Sequence, residues 1–367
     1  MAFLNINFIT EDMMQRYKYE TMMVVFKWIR LIFGYLFFCI VLICVLNYKT
    51  SIYIIEQAKG QLHVLLNTQS ISAYKKNNSL TKQEKNNLLL IEQIKAYSID
   101  SLGYLPTKNF TAIYDQKNAP VLWVITACEP YALNTYEWKF PVVGKVSYKG
   151  FFKKELALKE YNHFISMGYD VDLRSVSAWS TLGWFNDPLL SSMLHRSKGS
   201  LCNLLFHELF HATYYAPNCV NFNENIASFI AHKATIQFLK NDSTALKNYL
   251  NNYSDNAVYT RYMIRRANFL RTFYPTIAMQ KNKQVLKFKA LYHIADSINY
   301  LPFNDKQKFL SKNEDIFSYK NAYFVDFEQY DSMQDSLDVV FNKIYKGSLK
   351  KLVQDLKQDK TIIKFGN

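Results

Sequence analysis

Residues 207–211 read His-Glu-Leu-Phe-His within the apolar-periodic stretch Ser200 to Tyr215. On a helix, residues four apart share a face, so His207 and His211 can offer two imidazole nitrogens to one Zn²⁺ while Glu208 projects beside them. Zinc lowers the pKa of bound water toward ~7, and a neighbouring carboxylate can take that water's proton and pass it to a leaving nitrogen. The chemistry is amide hydrolysis. In a chain of this length with seven histidines, chance produces His-Glu-x-x-His in roughly half a percent of cases. The apolar neighbours Leu204, Leu205, Phe206, Leu209 and Phe210 make idle histidines costly as well.

A catalytic zinc needs a third protein ligand, and the phrase Asn223-Glu224-Asn225 supplies Glu224. Pro217 and the Asn-rich turn through Asn221 should end the first helix, with a second beginning near Glu224. Along that second helix Ala227, Ala231 and Ala234 permit close packing. The other role open to Glu224 is a capping box with Asn221 as N-cap. His232, two turns on, is expected to pack or to support the site from behind. Exopeptidase action needs an anion to hold the substrate's α-ammonium. Glu129 and Asp187 are the candidates, each otherwise a turn or cap carboxylate. Trp179 and Trp184 could line a subsite or fill the core. Val171 to Thr181 could be an edge strand that pairs with extended substrate, and Tyr214 or Tyr215 could donate to an oxyanion.

The elements that must position these groups read as α+β: a small mixed sheet followed by a mostly helical half. Short β-rich runs (Thr111–Tyr114, Val121–Ala127, Phe140–Tyr148, Asp170–Ser177) are punctuated by Gly and Pro, and Phe151–Met167 ends at Gly168 like a helix. Between Gly199 and Gly347 there is no glycine, which predicts helices throughout. Upstream, helices are expected over Ser51–Asn67 and Leu80–Tyr97, the latter capped by Thr81 or Ser79, with a polar, solvated connection over Ser70–Asn87.

From Leu31 to Leu46 the chain carries no charge, just enough for a helix to span a bilayer core of roughly 30 Å. Arg16, Lys18, Lys27 and Arg30 precede it, whereas only Lys49 and Lys59 follow closely, which puts the amino terminus in the cytoplasm. No A-x-A-like cleavage site follows the run. The expected organisation is a cytoplasmic segment 1–28, a transmembrane signal anchor 29–48, a helical linker region 49–100, a catalytic core 101–240 and a helical carboxyl-terminal region 241–367.

Several phrases together resemble a bacterial family of predicted aminopeptidases, a zincin-type group. They are Gln57-Ala58-Lys59-Gly60-Gln61-Leu62, Phe140 to Gly144 with Val146 to Phe152, Ser177 to Pro188, His207 to His211, and Phe222-Asn223-Glu224. The resemblance implies a zinc peptidase with one Zn²⁺ per chain, His207, His211 and Glu224 as ligands, and Glu208 as base. It also implies a peptide substrate and a single-pass protein of the bacterial cell membrane whose catalytic part is extracytoplasmic. Relatives often carry cysteines where this chain has Lys139 and Lys145, so no cystine is expected there. Two further readings compete with a zinc aminopeptidase: a zinc endopeptidase, and a zinc-bearing envelope scaffold that binds peptides or proteins without cleaving them.

Composition fits this frame. A chain that is 49% hydrophobic, with ten glycines and eight prolines in 367 residues, is no disordered or low-complexity protein. The net charge of +14 suits an anionic envelope, and no nucleic-acid partner is expected because no recognition motif accompanies the charge. Cys39 and Cys44 fall in the apolar run, and Cys128, Cys202 and Cys219 lack C-x-x-C spacing.

Overall fold

The apolar amino-terminal run ends helix α1 (Ala2–Leu46), which is followed by α2 (Tyr48–Leu66). Thr21–Leu46, which contains an 18-residue window with a mean hydropathy of 2.7, is long and apolar enough to cross a membrane by length and composition. The computed structural model describes residues 2–77, 79–140, 144–176, 186–217, 219–328 and 333–358. It divides into two units, Met1–Lys59 and Gly60–Asn367.

In the second unit the polar connection expected after α2 is instead structured, as strand β1 (Thr68–Ser70) and helix α3 (Ile71–Asn77). The Ser70 hydroxyl accepts a bond from Ala73 N, so a polar sequence still nucleates a turn of helix. Helix α4 (Lys82–Asp100) starts on the expected cap: Thr81 accepts from Glu84 N and the Glu84 carboxylate accepts from Thr81 N. Strands β2 (Ala112–Tyr114), β3 (Trp123–Cys128), β4 (Trp138–Phe140), β5 (Gly144–Val146) and β6 (Lys149–Phe151) follow. Next come α5 (Lys154–Ser166), β7 (Asp170–Ser175) and β8 (Leu189–Leu190). Helix α5 ends where Gly168 takes a φ of +82°, a conformation glycine adopts without strain.

The strands make three small sheets rather than one: β1-β2-β8, β6-β3-β7 and β4-β5. Strand β3 is buried from Val124 to Cys128 and spends its hydrogen bonds on antiparallel β6 and β7. Strand β2 therefore pairs elsewhere, antiparallel with β1 and parallel with β8. Two of the resemblance phrases meet in space, since a Cβ on Gly60 would collide with the Phe152 ring.

The remainder is helical, as the missing glycines predict: α6 (Lys198–His211), α7 (Val220–Leu239), α8 (Ser243–Ile277), α9 (Lys283–Ser297), the short α10 (Gln307–Leu310), α11 (Asn313–Tyr319) and α12 (Asn321–Phe324), then α13 (Gln334–Lys343) and α14 (Leu349–Gln358). One apolar cluster joins α4, β8, α6 and α7 to Leu337, Phe341, Leu352 and Val353 of the last two helices. A second joins the end of β3 to α8, α9, α11 and α12.

A charged pair lies inside the second cluster. Lys287 Nζ donates to Asp170 Oδ2 at 2.5 Å and to Pro130 O at 2.7 Å, and the same carboxylate oxygen accepts Asn321 N at 3.1 Å. Burial pushes Asp170 up and Lys287 down, the direction desolvation imposes on each. Removing one partner strands the other. Lys287→Met should cost about 3–5 kcal/mol in urea unfolding, and the double variant Lys287→Met, Asp170→Leu should recover most of it.

Candidate metal centre

Helix α6 alternates faces in pairs. Leu201, Cys202, Leu205, Phe206, Leu209 and Phe210 are buried, while His207, Glu208 and His211 fall on the half-buried side. The apolar face packs on α4 and α7, and its position is set by cross-links. Tyr104 donates to Phe206 O at 3.2 Å, and Leu105 N donates to Thr213 Oγ1 at 3.1 Å just past the helix end.

Helix α7 begins at Val220, four residues earlier than expected, with Cys219 as an N-cap that makes no side-chain capping bond. Asn221 is not the cap, and Glu224 lies inside the helix, away from the N3 place a capping box requires. The early start follows from Asn223, which is 2% exposed. Its amide donates to Ala216 O and accepts from Ala216 N, both at 2.8 Å, and so clips the α6–α7 loop shut. Ala227, Ala231 and Ala234 are wholly buried, which allows the close α6–α7 packing that brings Glu224 back to the histidines.

The result is a triangle of donor atoms. His207 Nε2 and His211 Nε2 are 3.0 Å apart, His207 Nε2 and Glu224 Oε2 3.3 Å, and His211 Nε2 and Glu224 Oε1 3.5 Å. Among the described residues, this trio is the one group of His, Cys, Asp and Glu side chains with the spacing to hold a metal ion. In a tetrahedral site with bonds of about 2.0–2.2 Å, ligand-to-ligand edges are about 3.3–3.6 Å. Two nitrogens 3.0 Å apart, with one or the other oxygen of the Glu224 carboxylate 3.3–3.5 Å from each, fit Zn²⁺. Their protonation fits as well. Burial, with His207 adding, holds His211 below the usual imidazole range, and a hydrogen bond from His207 foremost holds Glu224 below the usual carboxylate range. At neutral pH His211 is thus a neutral donor and Glu224 an anionic one.

Ser228, on α7 one turn beyond Glu224, lies with its Oγ 3.4 Å from His207 Nδ1. When His207 turns its Nε2 lone pair to a metal, Nδ1 carries the proton and donates to this hydroxyl, which fixes the ring. No sequence reading singled out Ser228 or the Asn223 clip. The available signal was the i, i+4 spacing from Glu224. Ser228→Ala should weaken zinc binding about 10–100-fold, measured by competition with a chromophoric chelator.

The Glu208 carboxylate makes no hydrogen bond among the described residues. Burial raises its pKa; His207 opposes this, while Glu224 and Asp187 add to it. Asp187, 5% exposed, is fixed by its backbone, which accepts Phe110 N at 2.7 Å and donates to Asn109 Oδ1 at 3.1 Å. Its charge reaches Glu208. Glu129 is exposed on the turn after β3, with its backbone bonded to Asn134 and Asn321 by the second cluster. Trp179 and Trp184 lie outside the described residues. Strand β7 is an edge of its sheet, but α11 and α12 pack against it. Tyr214 packs on Phe210 and Phe222, and Tyr215 is exposed. All five cysteines are free.

His232 is not with the trio. It stacks on Tyr253 at 3.6 Å, and its Nδ1 lies 2.9 Å from the Tyr249 hydroxyl. Burial chiefly, with Lys233 adding and Asp338 opposing, brings its pKa down to about 4. An unfolded histidine takes up its proton near pH ~6.5. Between these values the unfolded chain binds more protons, so this contribution to stability is lost as pH falls from about 6.5 to about 4. His232→Phe should therefore show a smaller drop in urea midpoint between pH 7 and pH 4.5 than the parent.

Fold and site together define an α+β, mostly helical protein built around a candidate centre of two histidines and one carboxylate. The chain belongs to the family described as "Putative aminopeptidase", whose model matches residues 52–362. That description points to a peptidase. No curated protein and no solved structure matches the chain.

Proposed function

We propose that this protein is a zinc-dependent, membrane-anchored peptidase of zincin type, acting as an aminopeptidase. The observation that carries the reading is the His207–His211–Glu224 triangle, with Glu208, whose carboxylate makes no hydrogen bond among the described residues, next to His207 in the chain. Bound zinc supplies an acidified water and polarises the scissile carbonyl. Glu208 takes the attacking water's proton, a role its raised pKa suits at neutral pH, and delivers it to the departing amine. Ser228 keeps the His207 ring in register, and Asn223 keeps Glu224 on its partner helix. Asp187 is the better candidate for the substrate's α-ammonium, because its charge is felt at Glu208 and that of Glu129 is not among those that act there. In this reading the uncharged part of Thr21–Leu46, from Leu31 on, crosses the membrane once, and the excess of Lys and Arg before Leu31 (Arg16, Lys18, Lys27 and Arg30, against Lys49 and Lys59 after it) leaves the catalytic unit outside the cytoplasm.

Digestion of a peptide library by the full chain tests the activity. Single residues should leave free amino termini, acetylated peptides should be spared, and a chelator should stop release until zinc is restored. Internal cuts would make it an endopeptidase, and intact peptides with zinc bound would make it a scaffold.

A further inference from the structure

Residues 256–295, the greater part of the α8–α9 hairpin, hold eight Lys and Arg and no Asp or Glu. The chain's net charge is +14, so more than half of the imbalance sits in these forty residues. Three of the cations serve the fold: Lys287 in its pair with Asp170, Arg266 over the Tyr262 and Phe269 rings, and Lys283 over the Tyr131 ring. Arg261, Arg265, Arg271, Lys281 and Lys289 are exposed.

Helix α9 carries a second anomaly. Positions 285, 288 and 292 lie on one face, and there Val285, Phe288 and Tyr292 are each more than half exposed, although the opposite face already packs Leu291 and Ile294 into the second cluster. Lys289 lies beside this outward face, and Lys281 and Met279, the latter 98% exposed, lie in the hairpin turn that leads into it. Apolar and aromatic side chains between lysines, on a helix with its own core contacts, match the chemistry of a bilayer interface. Rings and methyls enter the acyl boundary while ammonium groups meet phosphates. A nucleic acid would use the cations but leave Val285 and Met279 without partners.

We infer that the outward face of α9 and the α8–α9 turn dock on an anionic lipid surface. The apolar helix Thr21–Leu46 makes a bilayer the available partner. The surface itself does not require that helix to insert.

Lysine footprinting of the full chain tests this. Protein is mixed with nanodiscs of phosphatidylglycerol and phosphatidylcholine, or of phosphatidylcholine alone, acetylated briefly, and read by mass spectrometry. Lys281 and Lys289 should react several-fold more slowly on the anionic discs and recover in high salt. Lys117, exposed on the β2–β3 turn, should not change. Arg265→Glu with Arg271→Glu, both at exposed positions, should weaken the protection. Equal reactivity on the two discs overturns the inference, and so does protection that appears only when an acidic peptide or RNA is added. Co-elution of the chain with neutral discs reads the anchor separately, so failure of the anchor and failure of the docking surface give different results.

Discussion

Glu208→Gln should keep about one zinc per chain and lose turnover by about 10²–10⁴-fold, the range for removing a positioned general base. The substitution conserves shape. Glu208 is not a corner of the donor triangle, and its carboxylate makes no hydrogen bond among the described residues, so neither the trio nor the packing of α6 depends on its charge. Replacing a half-buried carboxylate, its pKa already raised by desolvation, with a neutral amide should leave stability equal or slightly higher. The variant thus separates chemistry from architecture. Zinc content by atomic emission and steady-state hydrolysis of an aminoacyl substrate read the two halves. A peptide-binding scaffold would instead keep its affinity and have no turnover to lose.

The site was legible to the extent that its geometry is local. His207 and His211 are one helical turn apart, and no tertiary fact is needed to put them on one face. Glu224 was legible for a different reason, since the small residues at 227, 231 and 234 announce a close helix pair. Its helix start was not. The four-residue error came from reading the Asn-rich stretch through Asn221 as turn, when Asn223 spends its amide on Ala216 seven residues back, a bond that exists only once the loop closes. Ser228 is the same kind of miss, because a serine acquires meaning only when a histidine from another helix arrives beside it.

The sheets divide along that line. Strands β2, β3, β5 and β7 were visible as short β-rich runs, whereas the polar β1 and the two-residue β8 were not; which strands take the two edges of β3 depends on competition among distant segments, and one sheet became three. The second cluster was equally hidden. Lys287 reads as one more surface lysine in a basic stretch until Asp170, 117 residues earlier, is placed against it. The hairpin's lack of acids, by contrast, is plain in the sequence, and its exposed apolar stripe became a feature only after the buried face of α9 was known.

Loss of the metal should follow from loss of any corner of the triangle. His207→Ala with His211→Ala should carry essentially no zinc, because a lone carboxylate is a poor site for an ion that prefers nitrogen and sulfur donors. Glu224→Gln is the more searching test, since its neutral amide keeps the helix and removes the anionic donor. If Glu224 were only a helix-start residue, zinc content would hold while unfolding shifted. The N-terminus of α7 makes no side-chain capping bond, so the expected result is the reverse: zinc retention falls and α7 keeps its helicity. The linkage gives a second readout. A ligand present at about 1,000 times its Kd stabilises the folded state by about 4 kcal/mol, so chelation should lower the melting temperature of the parent chain by several degrees. In the double histidine variant chelation should leave it unchanged. Ser228→Ala should fall between, with zinc bound at saturation and lost at concentrations that still load the parent. That ordering, parent above Ser228→Ala above Glu224→Gln above the double variant, is what a metal centre held by α6 and α7 requires. Retention of zinc by the double histidine variant would remove the centre from His207, His211 and Glu224 altogether.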